Sequence, residues 1–354
     1  MISILVAVFG TLIAIWIWTF SSIGQSPIII GGSTSANAFM QKVTTEISAV
    51  DYTYNSTGSQ NGVNGVFNNV YTGGMISKDP TNFGKPDQEW SYYNEDGKDV
   101  NITPSNLDDY IAAKMDDKKS YTATQLGVDA IAIIYNLPGE LDQPEVNFEL
   151  SSNVLKDIYE GRITNWYDVP GFKKKVNVEI KPFTREVGSG TRTAFEEKTG
   201  ITNAAKSDVA NSNGMMFNSI GGTEGAIGFV SLPFIDQIKR NSNVHVAGVD
   251  GIRFSYADDD IQSCKKWDSE TNAWIEYEPE ELNEVVVGHG HYHLSRPFVL
   301  IYKNTAIKKL TALFEYLVND AQPIYAEEGL SQNIHDIKIS SHDNKQMTWG
   351  VNCD

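Results

Sequence analysis

Three times along the chain, a predicted strand runs into a short turn of glycine and hydroxyl residues that opens a predicted helix. The turns lie at 32–35, 58–62 and 188–191, with the sequences GSTS, GSQNG and GSGT. Short β-branched or alternating runs precede them, and apolar residues at helical spacing follow the first two. Because repeated strand–helix units bring successive strands back in parallel, this pattern predicts an α/β fold around a mainly parallel sheet.

Other segments extend this pattern. Strands are predicted at 130–135, 176–183, 225–230 and 296–302, and helices at 36–50, 63–70, 154–159 and 307–317. The last of these helices places five apolar side chains at helical spacing, which is typical of a helix packed on a core. Two polar stretches, 79–120 and 251–284, lack clear periodicity, and we interpret the first as an irregular excursion on the surface.

The N-terminal segment, residues 1–26, is predicted to be a targeting or anchoring element. Residues 2–20 carry no charge, and the first charged side chain is Lys42. About 19 residues at 1.5 Å each nearly span a hydrocarbon core of about 30 Å. Cleavage after small residues and a buried helix are the alternatives. We expect an uncleaved anchor that holds the protein at the outer face of the plasma membrane and takes no part in the fold.

The charge balance excludes one class of partner. The chain has 354 residues and a formal net charge of −17. Nucleic-acid binding depends on clustered lysine and arginine, so we expect no nucleic-acid partner. A small anion is still permitted, because charges farther away than a Debye length of about 8 Å are largely screened. Local groups therefore decide whether this acidic protein binds an anion.

Cysteines and histidines offer little evidence of a metal or redox site. Cys264 and Cys353 form no C-x-x-C motif, so in an exported chain a disulfide and two free thiols both remain open. His289, His291 and His293 alternate as they would on one face of a strand. They have no acidic or cysteine neighbour at ligand spacing, so a packing or solvated role is favoured. We expect neither a metal nor a cofactor.

The three glycine- and hydroxyl-rich turns have the chemistry of an oxyanion site. A helix N-terminus presents free backbone N–H groups and a positive dipole end, and glycine allows close approach. Arg185, just upstream of the third turn, adds a planar guanidinium suited to two oxygens. Each turn taken alone is more often a plain helix cap. Three such turns with one arginine indicate anion binding, with N-capping as the alternative.

The order of these motifs resembles that of the phosphate-binding proteins that serve ABC-type phosphate importers. The most specific match is REVGSGTR at 185–192. Supporting matches, in family order, are GSTS at 32–35, DIYEGRITNW at 157–166, GAIGFV at 225–230 and LSRP at 294–297. The resemblance runs from about residue 28 to about residue 333, with gaps at the two polar stretches. One motif alone is weak, and all of them in order are a strong signal.

This resemblance implies a type II periplasmic-binding-protein fold, which is two-lobed and α/β with a ligand cleft between the lobes. The implied lobes are 27–130 together with 296–354 for lobe 1, and 131–295 for lobe 2. The strands near 131–135 and 298–302 would cross between the lobes and carry the hinge. The implied function is capture of inorganic phosphate and its delivery to an importer permease, by a protein expected to be monomeric.

Carried over residue by residue, the resemblance also implies a ligand-binding set drawn from both lobes. Its members are Thr34, Ser35, Ser59 and Ser77 from lobe 1, and Arg185, Ser189, Gly190 and Thr191 from lobe 2. Among these residues, Arg185 is the one full positive charge. The remaining matched motifs, including LSRP, are not interpreted as ligand contacts.

Three neighbouring residues bear on the selectivity and geometry of this set. Lys78 stands where the family often has aspartate or arginine; an aspartate there accepts a hydrogen bond from protonated phosphate and disfavours sulfate. Its absence leaves selectivity open. Glu186 is a substitute acceptor or, in the favoured interpretation, a partner that orients Arg185 or Arg192. Trp166 is expected to pack its segment against lobe 2.

Other functions stay open beside phosphate delivery. Sulfate or molybdate could be the ligand, and the scaffold could serve sensing or adhesion at the cell surface. A genomic neighbourhood without genes for a permease and an ATPase would favour the sensing or adhesion role. An enzyme is disfavoured, because the turns offer serine without a nearby histidine and lack both a G-x-S-x-G elbow and a P-loop lysine. We therefore expect no catalytic residues.

Overall fold

The computed structural model describes residues 27–80, 88–93, 100–138, 149–172, 177–204, 206–232, 234, 243–257, 260–268, 273–276 and 292–339. Its α helices are α1 (Asn37–Glu46), α2 (Ser59–Phe67), α3 (Leu107–Asp116), α4 (Ser152–Tyr159), α5 (Gly190–Thr199), α6 (Asn213–Gly221), α7 (Ile307–Asn319) and α8 (Gln322–Glu327). Its strands are β1 (Ile28–Gly32), β2 (Tyr52–Ser56), β3 (Gly73–Ile76), β4 (Tyr121–Tyr135), β5 (Glu149–Leu150), β6 (Lys181–Arg185), β7 (Asp208–Ala210), β8 (Ala226–Ser231), β9 (His245–Val246), β10 (Gly248–Val249), β11 (Ile252–Ala257), β12 (Asp260–Asp268), β13 (Ala273–Glu276), β14 (Ser295–Lys303) and β15 (Ser331–Asp336).

Most of the strands belong to one sheet, with the order β2-β1-β3-β14-β4-β8-β6-β7. β1 pairs in parallel with β2 and β3, and β6 pairs in parallel with β7 and β8. The long strands β14 and β4 run antiparallel between these two parallel groups. The α/β prediction is confirmed. The expectation of a mainly parallel sheet was wrong, because β14, β4, β15 and β9 pair antiparallel between and beside a parallel group at each end.

The buried hydrophobic residues form separate clusters along this sheet. One cluster consists of residues between 130 and 294. The other two consist of residues up to 126 and from 298 onward. We call the elements around the first cluster lobe 2 and those around the other two lobe 1. β4 contributes to both, since Leu126 packs in lobe 1 and Ile131 in lobe 2.

The first polar stretch is more ordered than the sequence predicts. It contains α3, in which Leu107, Tyr110 and Lys114 are buried. The Lys114 ammonium forms an ion pair with Asp336 in β15, and this partner allows a lysine to face the core. The prediction of irregular structure was wrong here because a lysine at one of the core-facing positions hides the helical spacing.

Other boundaries differ by a few residues. α2 ends at Phe67, so Val70 lies beyond the helix with 61% of its surface exposed. β6 begins at Lys181, later than the predicted strand, and β4 begins well before residue 130. The second polar stretch supplies β11, β12 and β13, which join β10 and β5 in a separate sheet.

The predicted anchor at 1–26 lies outside the described residues. Within the ranges that the structure does describe, none of the helices has the length and apolar character needed to cross a bilayer.

Candidate functional site

The turns that follow β1, β2 and β3 meet at one edge of the sheet. The three strands are parallel neighbours, so their carboxyl ends lie side by side. Ser33 Oγ donates to Ser77 Oγ at 2.9 Å, and Ser59 Oγ lies 3.4 Å from the same oxygen. The backbone N–H of Ser77 donates to Ser59 Oγ at 3.3 Å. Lobe 1 therefore presents a compact group of hydroxyls.

The third turn joins β6 to α5 as a capped helix start. Gly188 has a φ of 89°, a left-handed conformation that glycine adopts without strain. Ser189 is the N-cap, and its Oγ accepts a hydrogen bond from the Arg192 backbone N–H at 3.3 Å. The hydroxyl of Ser189 thus serves the helix, as the N-capping alternative expects, while the turn itself is directed at lobe 1.

Residues of this turn pack directly against the lobe 1 hydroxyls. A Cβ atom at Gly190 would lie 2.5 Å from both Ser59 Oγ and Ser77 Oγ, too close for any side chain. Thr191 Oγ1 lies 2.8 Å from Ser35 Oγ. The two lobes are therefore closed on each other at this point, and the closure depends on the glycine.

Arg185, the last residue of β6, reaches across to lobe 1. Its Nη2 donates to Thr34 Oγ1 at 3.0 Å. Its Nε and Nη2 donate to the two carboxylate oxygens of Glu186, each at 2.8 Å. Nε also reaches the Ala210 carbonyl at 3.2 Å. Glu186 therefore orients the guanidinium of Arg185, as the favoured interpretation of the sequence expects.

One end of the Arg185 guanidinium has no partner. Its Nη1 is among the buried side-chain atoms of the described residues that lack a hydrogen bond. The others are the neutral atoms Trp90 Nε1, Gln125 Oε1, Ser207 Oγ and Asn304 Nδ2. An unsatisfied buried donor on a charged group carries a larger desolvation penalty than a neutral one. A hydrogen-bond acceptor supplied beside Arg185 would remove that penalty.

A second guanidinium, which the sequence did not place in the site, contacts the same hydroxyls. Arg296 Nη2 donates to Ser35 Oγ at 2.9 Å, and Nη1 donates to the oxygens Oγ and O of Ser77, both at 3.3 Å. Its Nε and Nη2 donate to Asp129 Oδ2 at 3.0 and 2.8 Å. Arg185 is therefore not the only full positive charge here. We call the combined set the site cluster: Thr34, Ser35, Ser59, Ser77, Arg185, Ser189, Gly190, Thr191 and Arg296.

Sequence reasoning missed Arg296 because it placed the LSRP motif outside the ligand contacts. Arg296 and Asp129 are directly opposed in the pairing of β14 with β4. Both are buried, with 2% and 0% of their surface exposed. A usable signal existed, since two opposite charges sit in otherwise apolar strands, and buried charges are almost always paired. What the sequence lacked was the register that joins the two strands.

Asn213, at the start of α6, is a further contact that the sequence did not single out. Its Nδ2 donates to Ser35 Oγ at 3.0 Å. Its Oδ1 accepts from the Ser231 backbone N–H at 3.3 Å. Ser35 of lobe 1 is therefore in contact with lobe 2 through both Thr191 and Asn213.

Burial and mutual repulsion act on the charged groups of this site. Burial lowers the pKa of Arg296; the attraction of Asp129 opposes this shift, and repulsion from Arg185 adds to it. Burial raises the pKa of the Asp129 carboxyl, against the attraction of Arg296. The two guanidinium groups are thus close enough to repel each other, and an anion between them would relieve that repulsion.

The remaining residues discussed from the sequence have identifiable places. Lys78 Nζ contacts Thr193 Oγ1 of α5 at 3.4 Å. Trp166 is fully buried and donates from Nε1 to the Gly225 carbonyl at 2.9 Å, which fits a packing role. His293 Nε2 lies 2.6 Å from the Lys198 carbonyl oxygen.

Metal and disulfide chemistry stay predictions on the sequence. His289, His291 and Cys353 lie outside the described residues, so the pairing of Cys264 remains open. Across the ranges that the structure covers, no three His, Cys, Asp or Glu side chains are grouped as a metal ion would require.

This architecture is a two-lobed α/β fold with a polar cluster between its lobes. The family described as the PBP superfamily domain matches residues 21–321, which is most of the sequence. The chain belongs to this superfamily.

Solved structures agree on the fold. The chain is similar to a phosphate ABC transporter substrate-binding protein of Clostridium perfringens solved with bound phosphate, with a TM-score of 0.58 and 24% identity over 87% of this chain and 99% of that one. It is similar to an ABC-type phosphate transport receptor of Vibrio cholerae, with a TM-score of 0.51 and 22% identity over 86% and 99% of the two chains. A phosphate binding protein of Stenotrophomonas maltophilia matches with a TM-score of 0.53 and 14% identity over 87% and 91%. The predicted type II periplasmic-binding-protein fold is thereby confirmed.

Proposed function

We propose that this protein binds a tetrahedral oxyanion, with inorganic phosphate as the first candidate, at the site cluster between its two lobes. The observation that carries the proposal is the buried Nη1 of Arg185, which has no partner. It lies on the same guanidinium that already donates to Thr34 of lobe 1. An oxyanion supplies several acceptor oxygens at once, so it can take this donor together with nearby hydroxyl and backbone donors.

The proposed ligand set keeps all eight residues drawn from the sequence. Seven of them are buried, and Thr34 is partly exposed. Their side chains come from turns at helix starts or strand ends in both lobes, so the closed lobes would surround a small ligand. The hydrophobic clusters support the proposed boundaries of 27–130 with 296–354 for lobe 1 and 131–295 for lobe 2.

Phosphate is preferred to other oxyanions because the structural relatives named above are phosphate-binding or phosphate-transport proteins. On the same ground we propose delivery to an importer permease by an extracytoplasmic protein. Anchoring through residues 1–26 is proposed from the uncharged sequence of residues 2–20 alone. Sulfate and molybdate remain the alternatives, because Lys78 stands where the resemblance implies an aspartate or an arginine.

A binding role is better supported than catalysis. In the described residues, the hydroxyls of Ser35, Ser59 and Ser77 contact other hydroxyls, Arg296 and Asn213. None of these partners is a general base that could activate a serine nucleophile.

The test is calorimetric titration of the purified full chain with phosphate, sulfate and molybdate, at one pH below and one above neutrality. We expect phosphate binding that Arg185→Ala weakens at least about 100-fold, because the variant loses the charged donor. Arg162→Ala, which removes a half-exposed arginine paired with Asp157 and Glu160, is the matched control and should bind normally. Binding that survives Arg185→Ala would refute the site; a preference for sulfate or molybdate would refute phosphate alone.

A further inference from the structure

The two arginines of the site cluster differ in how their hydrogens are used. Arg185 has an unbonded Nη1. Arg296 has every nitrogen engaged: Nε with Asp129, Nη1 with both oxygens of Ser77, and Nη2 with Ser35 and Asp129. A guanidinium has five N–H donors, so Arg296 has none left for a ligand. Its effect on a ligand must pass through the groups that it already contacts.

Those contacts fix the direction of two hydroxyl groups. A guanidinium can only donate, so Ser35 Oγ and Ser77 Oγ must accept from Arg296. Each takes a second donor as well, Asn213 Nδ2 for Ser35 at 3.0 Å and Ser33 Oγ for Ser77 at 2.9 Å. With both acceptor positions of each oxygen occupied, each serine can engage a further group only by donating its own proton. In this structure that proton faces Thr191 Oγ1 for Ser35, at 2.8 Å, and Ser59 Oγ for Ser77, at 3.4 Å, so an oxyanion must take the place of these two acceptors.

The arginine is itself held in one place. Asp129 lies directly opposite it in the sheet. The same carboxylate accepts from Ser231 Oγ at 2.6 Å and from the Leu232 backbone N–H at 3.3 Å, both in lobe 2. The Asp129 and Arg296 side chains are 0% and 1% exposed. A guanidinium fixed in this way cannot turn to release either serine without leaving a buried charge unpaired.

We propose that Arg296, held by Asp129, is a positioning residue that turns Ser35 and Ser77 into obligate hydrogen-bond donors for the oxyanion. This rests on the proposed function and deepens it. An unprotonated phosphate oxygen needs donors, and a hydroxyl that is free to rotate offers an acceptor as readily as a donor. When the acceptor positions of both serines are occupied, each serine can donate to an unprotonated oxygen of the ligand. It cannot accept from an O–H group of the ligand, so a protonated ligand oxygen is disfavoured beside it.

The decisive variant is Arg296→Lys, measured against the serines in a double-mutant cycle. Lysine keeps the positive charge beside Asp129, but one ammonium cannot reproduce the planar fork that serves Ser35 and Ser77 from separate nitrogens. We expect Arg296→Lys to weaken phosphate binding about 10- to 100-fold in the otherwise unchanged protein. In a Ser35→Ala/Ser77→Ala background, the same change should weaken binding less than about 3-fold, because the hydroxyls it acts through are gone.

A purely structural or purely electrostatic role predicts different results. If only the charge matters, Arg296→Lys binds phosphate as the unchanged protein does. If Arg296 only supports the fold, its effect is the same with and without the two serines. Either outcome overturns the proposal. Arg162→Lys is the matched control and should leave affinity unchanged.

A second variant covers the case in which Arg296→Lys does not fold. Asp129→Asn keeps the shape of the side chain and the native arginine but weakens the hold on it. Affinity should fall several-fold, again with coupling to Ser35→Ala/Ser77→Ala, and thermal unfolding should show that the variant is folded. Unchanged affinity in folded Asp129→Asn contradicts the proposal.

The proposed function and this inference can fail separately. If the unchanged protein binds no oxyanion, both are wrong. If it binds phosphate and Arg185→Ala abolishes binding, but the Arg296 cycle is additive, only the positioning role is wrong.

Discussion

Two of the buried polar clusters that the structure describes contain charged side chains, and they differ in how completely the polar atoms of those side chains are hydrogen-bonded. The first, which we call the core network, lies within lobe 1 and consists of Tyr110, Lys114, Thr124, Tyr302 and Asp336. There the Asp336 carboxylate accepts from Lys114 Nζ, from Tyr110 OH at 3.0 Å and from Thr124 Oγ1 at 2.8 Å. The second is the site cluster between the lobes, where Arg185 Nη1 has no partner.

We interpret this difference as one between a structural element and the proposed binding element. The core network joins α3, β4, β14 and β15, and its ion pair is closed by hydroxyls of the protein itself. A satisfied buried network makes the fold more rigid and specific. The site cluster has the same burial and the same kinds of donor, yet it leaves a charged donor unmatched. Burial alone therefore does not distinguish the two clusters, whereas a charged group with an unbonded N–H donor does.

The largest effect on stability is expected in the core network. Asp336→Ala leaves the Lys114 ammonium, whose side chain is 1% exposed, without its carboxylate. We expect the free energy of unfolding to fall by about 3–5 kcal/mol, because an uncompensated buried charge is strongly destabilising. Urea denaturation measures this, with Asp320→Ala, at an exposed position, as control. A loss below about 1 kcal/mol would show that Lys114 escapes to water and that the network is not closed.

The site cluster should give the opposite combination of effects. Arg185→Met removes the unmatched donor, so we expect phosphate affinity to fall at least about 100-fold. The ligand-free unfolding free energy should change by less than about 1 kcal/mol, since Glu186, left behind, is partly exposed and can be hydrated. Phosphate at 100 times its Kd should stabilise the unchanged protein by about 2.7 kcal/mol and the variant hardly at all. A large loss of stability without ligand would place Arg185 with the structural charges.

The two clusters also differ in how far the sequence could predict them. The turns that carry Ser35 and Ser59 were predictable from local strand–turn–helix motifs, and the resemblance to phosphate-binding proteins implied that Arg185 meets them from the other lobe. Arg185 was recognisable since its whole motif is contiguous. Arg296 was not, because its role depends on the register of β14 against β4, which no local pattern reports.

The core network was hidden for a related reason. Tyr110 and Lys114 lie on the buried face of α3, but a lysine in that stripe breaks the apolar spacing that predicts a helix. Its partner Asp336 is more than 200 residues away in the sequence. Hydrophobic periodicity in a sequence describes the burial of apolar side chains well. The ion pair between Lys114 and Asp336 becomes visible only when the positions of α3 and β15 in the fold are known.

A moderate effect should come from removing one hydroxyl of the core network. The Tyr110 hydroxyl contacts Thr124, Tyr302 and Asp336, and burial raises its pKa far above the usual value, so it stays a neutral donor. Tyr110→Phe should lower the unfolding free energy by about 1–1.5 kcal/mol without changing phosphate affinity. Phosphate titration beside urea denaturation checks both. Weakened binding would show that the two clusters are coupled through β4 and are not independent.

The smallest effect is expected at Lys78, a half-buried cation at the edge of the site cluster. Burial lowers its pKa, and attraction by Glu197 opposes this shift. A lowered pKa means that the folded state holds the proton more weakly than the unfolded chain. The charged lysine therefore reduces stability below its folded pKa, and this penalty disappears as the pH rises toward the unfolded value of about 10.4. Relative to Lys78→Met, the unchanged protein should gain less than about 1 kcal/mol over that range, since solvent screens the charge. Urea denaturation of both proteins at several alkaline pH values gives the sign of this difference in unfolding free energy. If the unchanged protein instead loses stability relative to Lys78→Met as the pH rises, contacts to α5 favour the charged lysine more than burial disfavours it.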